Sequence, residues 1–333
     1  MDFTELIDLA SEKLGGAVLF ANDDFFAPKE NLLKASAPVW REGEYTDRGK
    51  WMDGWESRRR RTPGFDWCII RLGLPGIIRG VTVDTSFFRG NYPEHCSLEG
   101  AAFDGLPTVD DLTDESVQWV PLLPQMPLAG DSQNNFPIEY NERLTHLRFK
   151  IYPDGGVARL RVYGIVSPDW DRLTRSGGDV DLAAAENGAL VVSCSDMFFG
   201  HRHNLIMPGR AANMSDGWET KRRRGPGHDW AIIKLGRPGV IHTVEVDTSH
   251  FKGNFPESCS LETYNATDVA DENLTDLSVE WTSLLPRTKL QAHTRHYFDR
   301  ELLETGVASH LRFNIFPDGG VSRLRVYGKL IDS

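Results

Sequence analysis

The sequence predicts an all-β protein built as a tandem duplication of an antiparallel jelly-roll β-sandwich. A long internal repeat sets the two-part plan, a period-two alternation of apolar and charged residues points to strands, and no long amphipathic helix interrupts the short apolar runs. At 333 residues, 40% hydrophobic and 26% charged, the chain is long enough for two halves that each bury a core.

The repeat is read directly. Asp53 to Trp67 recurs as Asp216 to Trp230, an offset of 163, with 11 of 15 positions identical. At the same offset, Asp84-Thr-Ser-Phe-Phe-Arg-Gly-Asn-Tyr-Pro-Glu94 matches Asp247-Thr-Ser-His-Phe-Lys-Gly-Asn-Phe-Pro-Glu257, and His146 to Gly164 matches His310 to Gly328 at offset 164 with 16 of 19 identical. Asp23 falls on Asp196 at offset 173, so the first copy carries about ten extra residues between Lys34 and Met52. A unit this long is a whole domain rather than a solenoid repeat. The boundary is expected in the polar stretch Val166 to Asp181, giving domains of residues 1–168 and 169–333.

Each copy is expected to open with a short N-terminal helix; in the first, Thr4 would cap a turn carrying Leu6, Ile7, Leu9, Ala10 and Leu14. Strands follow. Leu147-Arg-Phe-Lys-Ile151 alternates as a strand with one wet face does, and Leu160-Arg-Val162 is expected as its hairpin partner across Pro153-Asp-Gly-Gly156. Trp67 to Leu72 and Ile77 to Val83 read as two further short strands.

A formal net charge of −11 argues against nucleic acid or an anionic membrane as the main partner. Met1 to Gly16 lacks the basic start and apolar core of a secretion signal, and no apolar run of about 18 residues follows, so a cytoplasmic protein is expected. The four cysteines form no CxxC pair, and Cys96 and Cys259 stand at equivalent repeat positions, which reads as buried thiols. No phosphate loop, dinucleotide fingerprint or GxSxG elbow is present.

The paired blocks Asp-Gly-Trp-Glu-(Ser/Thr)-(Arg/Lys)-Arg-Arg, Gly-(Phe/His)-Asp-Trp, Asp-Thr-Ser-x-Phe-(Arg/Lys)-Gly-Asn-x-Pro-Glu and (Tyr/Phe)-Pro-Asp-Gly-Gly-Val resemble the signature segments of the allantoicase family, from about Gly16 to Gly328. The resemblance implies galactose-binding-domain-like jelly rolls, hydrolysis of allantoate to ureidoglycolate and urea in allantoin degradation, and a homo-oligomer. A carbohydrate-binding sandwich without activity and an enzyme acting on ureidoglycolate are the rival readings.

Allantoate carries a carboxylate and two ureido groups on one carbon. Its recognition calls for cations and amide groups, which Arg59, Arg60, Arg222, Arg223, Lys252, Asn91 and Asn254 supply, with Gly90 and Gly253 allowing close backbone approach. The bland alternative is that the basic runs are solvated loop faces and the asparagines bond their own turns. Expelling urea needs proton transfer, for which Glu257, His250, Asp247, Asp229, His228 and Glu94 are the candidates. His228 and His250 replace Phe65 and Phe87 of the first copy, and that asymmetry points to acid–base chemistry mainly in the second copy. His146 and His310, shared and preceding core strands, read as structural. No bound cofactor is expected. His201-Arg-His203 would set two imidazoles on one strand face, which makes a divalent metal the alternative.

Overall fold

The computed structural model describes residues 2–175, 177–266, 270–275 and 279–331. The chain divides into two compact units, Met1–Ser167 and Pro168–Ser333. Both are antiparallel jelly-roll sandwiches of the kind the repeat and the alternation predict.

In the first unit the strands are β1 (Ile7–Asp8), β2 (Ala17–Ala21), β3 (Tyr45–Thr46), β4 (Gly49–Lys50), β5 (Trp55–Glu56), β6 (Asp66–Asp84), β7 (His95–Ala101), β8 (Val120–Pro127), β9 (Gln133–Pro137), β10 (Leu144–Tyr152), β11 (Gly156–Val157) and β12 (Arg159–Val166). The second has β13 (Val180–Asp181), β14 (Leu190–Cys194), β15 (Trp218–Glu219), β16 (Asp229–Asp247), β17 (Ser258–Tyr264), β18 (Thr282–Lys289), β19 (Arg295–Phe298), β20 (Val307–Phe316), β21 (Gly320–Val321) and β22 (Arg323–Leu330). Among the described residues only β3 and β4 lack a counterpart. They belong to the extra residues of the first copy.

The two apolar runs expected as separate strands are one strand of 19 residues, β6. Its first part pairs with β2 and β10, its second with β9 and β12, so a single strand passes from one sheet of the sandwich to the other. Gly73-Leu-Pro-Gly76 does not end it. At Gly73 an added Cβ would lie 2.6 Å from the Leu14 carbonyl and at Gly76 2.4 Å from that of Ile165, so these glycines admit neighbouring backbone to the bend.

The expected hairpin is corrected for the same reason. β10 and β12 do not pair with each other; each takes a different part of β6. Between them Gly156–Val157 is committed to Trp55–Glu56, antiparallel, which turns the Pro-Asp-Gly-Gly segment into a bridge. The alternation itself is as read. Leu147, Phe149 and Ile151 are buried, while Arg148 and Lys150 reach Glu99 on the neighbouring β7, each at 2.6 Å.

The N-terminal helical signal resolves into two 3₁₀ turns, Phe3–Glu5 and Glu12–Leu14, with β1 between them. Asp2, not Thr4, caps the first. Ile7 and Asp8 pair with Gly164 and Tyr163, and Leu9 N–H donates to Val162 at 2.7 Å, so sheet-edge pairing outweighs weak helical propensity. In the second unit the opening helix is α1, Trp170–Thr174. Cys96 and Cys259 are buried free thiols, pushed up to about 12 by desolvation.

Candidate active site

Each copy gathers its signature blocks at one strand end. Trp55 is fully buried and its indole N–H donates to the Asp23 carbonyl at 2.8 Å; Trp218 repeats this with Asp196. Behind it, buried Arg159 holds Asp53 at 2.8 Å and Arg323 holds Asp216 at 3.1 Å. These contacts fix the two-residue strands β5 and β15, whose last residues are Glu56 and Glu219.

Glu56 accepts the Asn91 amide at 2.6 Å, and Glu219 accepts the Asn254 amide in a very short bond. Among the described residues no cation pairs with either carboxyl. The contrast with Asp53, Asp66, Asp216 and Asp229, each bonded to an arginine, is the central electrostatic fact of the site. Burial raises the pKa of both glutamates above the ordinary carboxylate value, with the asparagine bond opposing it. Sequence reasoning missed both. The signal available was a carboxylate inside a block common to the two copies, next to the basic run.

Around Glu56 and Asn91 lies a cavity of about 730 Å³ lined by Phe26, Trp40, Lys50, Met52, Phe87 and Arg89 among others. The second-copy cleft, about 660 Å³, holds Glu219, Asn254, Arg222, Arg223, Glu257 and Lys289. Both lie within the range of small-molecule sites, about 300–1,000 Å³.

The basic runs alternate, as extended backbone requires. Arg58 and Lys221 pair with Asp23 and Asp196 at 2.6 and 3.4 Å. Arg60 binds buried Asp66 at 2.6 Å, and Arg223 binds Asp229 in a very short bond. Arg60 and Arg223 therefore anchor their loops, and their own N–H groups donate to Asp154 and Asp318 at 2.8 and 2.9 Å. Arg59 and Arg222 are exposed and have no carboxylate partner among the described residues, and Arg222 lines its cleft.

The proposed acids are scattered. Asp229 is taken by Arg223, and Asp247 is buried with its carboxylate accepting the Ser249 N–H at 2.8 Å. Glu257 is exposed on the cleft rim, 3.7 Å from an equally exposed Arg287, a pair worth little. Glu94 is exposed and does not line the first cavity.

The two histidines have local partners. His228 contacts Asn314 at 3.2 Å and stacks near Phe316, where the first copy sets Lys150 over the Phe65 ring. His250 donates its backbone N–H to His293 at 2.7 Å, just as Phe87 donates to Asp131 at 2.8 Å. Phe87 and His250 both have φ near +70°, a left-handed backbone that costs a non-glycine residue about 1–2 kcal/mol. The side chain changed between copies while the strained backbone did not. His250 and Lys252 line a separate depression with His293, away from Glu219.

Gly90 and Gly253 line their clefts with no protein atom within 4 Å of an added Cβ, so their backbone is open to the cleft. Close packing within the protein occurs instead at the neighbouring Gly-Gly pairs. A Cβ on Gly156 would stand 1.9 Å from the Phe88 ring, and one on Gly320 1.9 Å from Phe251.

His146 and His310 are buried in the strands, as expected of packing residues. His201 and His203 stand at a 3₁₀ turn, not on a strand, because His201 caps the turn Arg202–Ile206 by accepting the His203 N–H at 3.2 Å. Among the described residues no group of three or more His, Cys, Asp or Glu side chains is placed to hold a metal ion, and no helix is long and apolar enough to cross a membrane.

A carboxyl without a counter-ion, at a small-molecule-sized cleft repeated in two jelly rolls, defines a class: duplicated sandwich proteins with a polar cleft at one strand end of each copy. The allantoicase repeat profile matches residues 7–167 and 180–331. The chain is 51% identical to an allantoicase of Dictyostelium discoideum over 99% of its own length and 89% of that protein, and 50% identical to a probable allantoicase of Pseudomonas aeruginosa strain UCBPP-PA14 over 98% and 96%. A crystal structure of allantoicase from Saccharomyces cerevisiae superposes with a TM-score of 0.82 at 36% identity, covering 97% of this chain and 93% of that one. The chain belongs to the allantoicase family. It is a hydrolase that converts allantoate to ureidoglycolate and urea.

Proposed function

We propose that allantoate is hydrolysed at the Glu–Asn pair of these strand-end clefts. The observation that carries this reading is the desolvated Glu56 carboxyl, bonded to Asn91 and to no cation, with the same arrangement at Glu219. A ureido group offers N–H donors and a carbonyl acceptor, which match a carboxylate and a side-chain amide held side by side.

In the step we infer, protonated Glu56 gives its proton to the leaving ureido nitrogen as the C–N bond breaks. The carboxylate so formed takes a proton from water as the C–O bond forms, which releases urea and restores the acid. Exposed arginines such as Arg222 meet the substrate carboxylate. Glu56→Gln together with Glu219→Gln should abolish urea release while the protein stays folded; retained activity would sink the assignment. Comparing turnover of ureidoglycolate with that of allantoate tests the rival substrate.

We also infer that no metal takes part, since the carboxyls lining the clefts, Glu42 and Glu56 in the first and Glu219, Glu257 and Asp318 in the second, are interspersed with cations, and among the described residues no three His, Cys, Asp or Glu side chains are grouped to hold an ion. Exhaustive chelation should leave the rate unchanged, and loss restored by manganese or zinc would overturn it. A cytoplasmic homo-oligomer is proposed on the family resemblance and the free thiols, to be checked by sedimentation velocity and cell fractionation.

A further inference from the structure

The two clefts differ through one segment. Val39 N–H donates to Asp53 Oδ2 at 3.0 Å, and Ala212 N–H donates to Asp216 Oδ2 at 3.1 Å, so the copies are in register at Val39 and Ala212 and again at Asp53 and Asp216. Residues 40–52 join these points in the first copy and residues 213–215 in the second. All the extra length therefore falls in 40–52, and β3 and β4 form within it.

That segment walls the first cavity with Trp40, Glu42, Gly49, Lys50 and Met52. The Lys50 ammonium stands 4.0 Å from the Trp40 ring centroid, and no carboxylate pairs with it among the described residues. Trp40 in turn packs on Phe87 at 5.9 Å. The second copy has Asn213, Met214 and Ser215 instead, lining only the shallow depression beside His250. A cation held over an aromatic face, unneutralised and facing the same cavity as Glu56, is built to take an anion next to a planar group.

Resting on the reading that the Glu–Asn pair is the reactive centre, we propose that residues 40–52 make the first-copy cavity the productive one, with Lys50 binding the carboxylate of allantoate and Trp40 stacking on a ureido plane. A carboxylate clamp acts alike in the ground and transition states, so its loss appears in KM. Without the wall, the second-copy cleft has no counterpart of the Lys50–Trp40 pair, and its cations are Arg222, Arg223 and Lys289.

Steady-state kinetics on allantoate test this. Lys50→Ala should raise KM tenfold or more with kcat within about twofold, and Lys50→Arg should recover most of that. Trp40→Ala should also raise KM, whereas Tyr45→Ala, exposed on the same hairpin, should behave as wild type. Titration calorimetry with N-carbamoylglycine, which carries one carboxylate and one ureido group, should show the same loss in Lys50→Ala independently of turnover, with the melting temperature reporting that the fold is kept. Glu56→Gln should lower kcat by at least tenfold more than Glu219→Gln.

An unchanged KM and unchanged N-carbamoylglycine affinity in Lys50→Ala would overturn the proposal, as would a larger kcat loss from Glu219→Gln than from Glu56→Gln. Equal kcat losses would leave the Glu–Asn chemistry standing and refute the first-copy assignment. No loss from either glutamate would instead refute the chemistry itself.

Discussion

Gly156 pairs with Glu56 across β11 and β5, and its own N–H donates to the Asn91 carbonyl at 2.8 Å. One residue thus joins the segments that carry both members of the reactive pair, and Gly320 does the same for Glu219 and Asn254. A side chain cannot be accommodated there, because its first carbon would enter the Phe88 ring. Gly156→Ala should cost about 1–3 kcal/mol of stability, the range for overpacking a filled core, and should lower kcat by separating Glu56 from Asn91. Gly90→Ala, in open space, is the control and should melt as wild type. Equal melting temperatures for the two variants would contradict the packing argument.

Arg222 and Arg223 are neighbours in the chain with different tasks. Arg223→Ala strands the buried Asp229 carboxylate and should destabilise the second unit by roughly 3 kcal/mol, as removing one partner of a buried pair does. Arg222→Ala should leave melting unchanged and weaken N-carbamoylglycine binding at the second cleft. Thermal melts and calorimetry on the two variants check this, and the reverse assignment of effects would return Arg223 to ligand binding.

The duplication was legible in the residues, and so were the strand alternation of Leu147 to Ile151 and the buried thiols. Pairing was not. Leu147 to Ile151 and Leu160 to Val162 each satisfy the strand pattern, but nothing local says that both pair with β6, because that depends on Gly156 and Val157 joining Trp55 and Glu56 across about a hundred residues. The site was half legible. Asn91 and Asn254 stand in the clefts, whereas His228 and His250 drew attention because they differ between copies. Each difference has a local compensation: Phe65 with Lys150 becomes His228 with Asn314, and Phe87 with Asp131 becomes His250 with His293. Such exchanges keep a packing or turn geometry and do not by themselves mark chemistry. Glu56 and Glu219 were overlooked because what the copies share includes both scaffold and site, and only the missing counter-ion separates them.

The Asn91 amide holds the Glu56 pKa down against burial, which is the larger effect and raises it. Asn91→Ala removes the opposing bond, so the carboxyl should hold its proton to still higher pH. Because Glu56 enters the cycle protonated, the alkaline limb of kcat/KM should move to higher pH in Asn91→Ala and disappear in the Glu56→Gln remnant activity. A limb that stays in place would separate Glu56 from the titration that controls the rate.

His146 is buried, with its Nδ1 2.8 Å from the Thr145 hydroxyl, and its pKa is lowered to about 4, first by desolvation and then by the Arg71 charge. Its unfolded value is near 6.5. Because the folded value is the lower one, the unfolded chain binds this proton first as pH falls. Stability is therefore complete above about 6.5 and is lost progressively down to about 4, by on the order of 3 kcal/mol from this residue alone. His310 is lowered by burial too, but Asp271 lies 3.2 Å from its Nε2 and pulls the other way, so it should contribute less. Asp181 acts in the opposite sense: burial raises it to about 6, so the folded state takes up its proton first and gains stability as pH falls from about 6 toward 3.8. Melting temperatures between pH 7 and pH 4 should fall less steeply in His146→Asn, which keeps a polar atom for Thr145 without a titrating ring, and more steeply in Asp181→Asn. Parallel profiles for wild type and His146→Asn would show that the folded imidazole takes up its proton at the same pH as in the unfolded chain, so that burial does not lower its pKa.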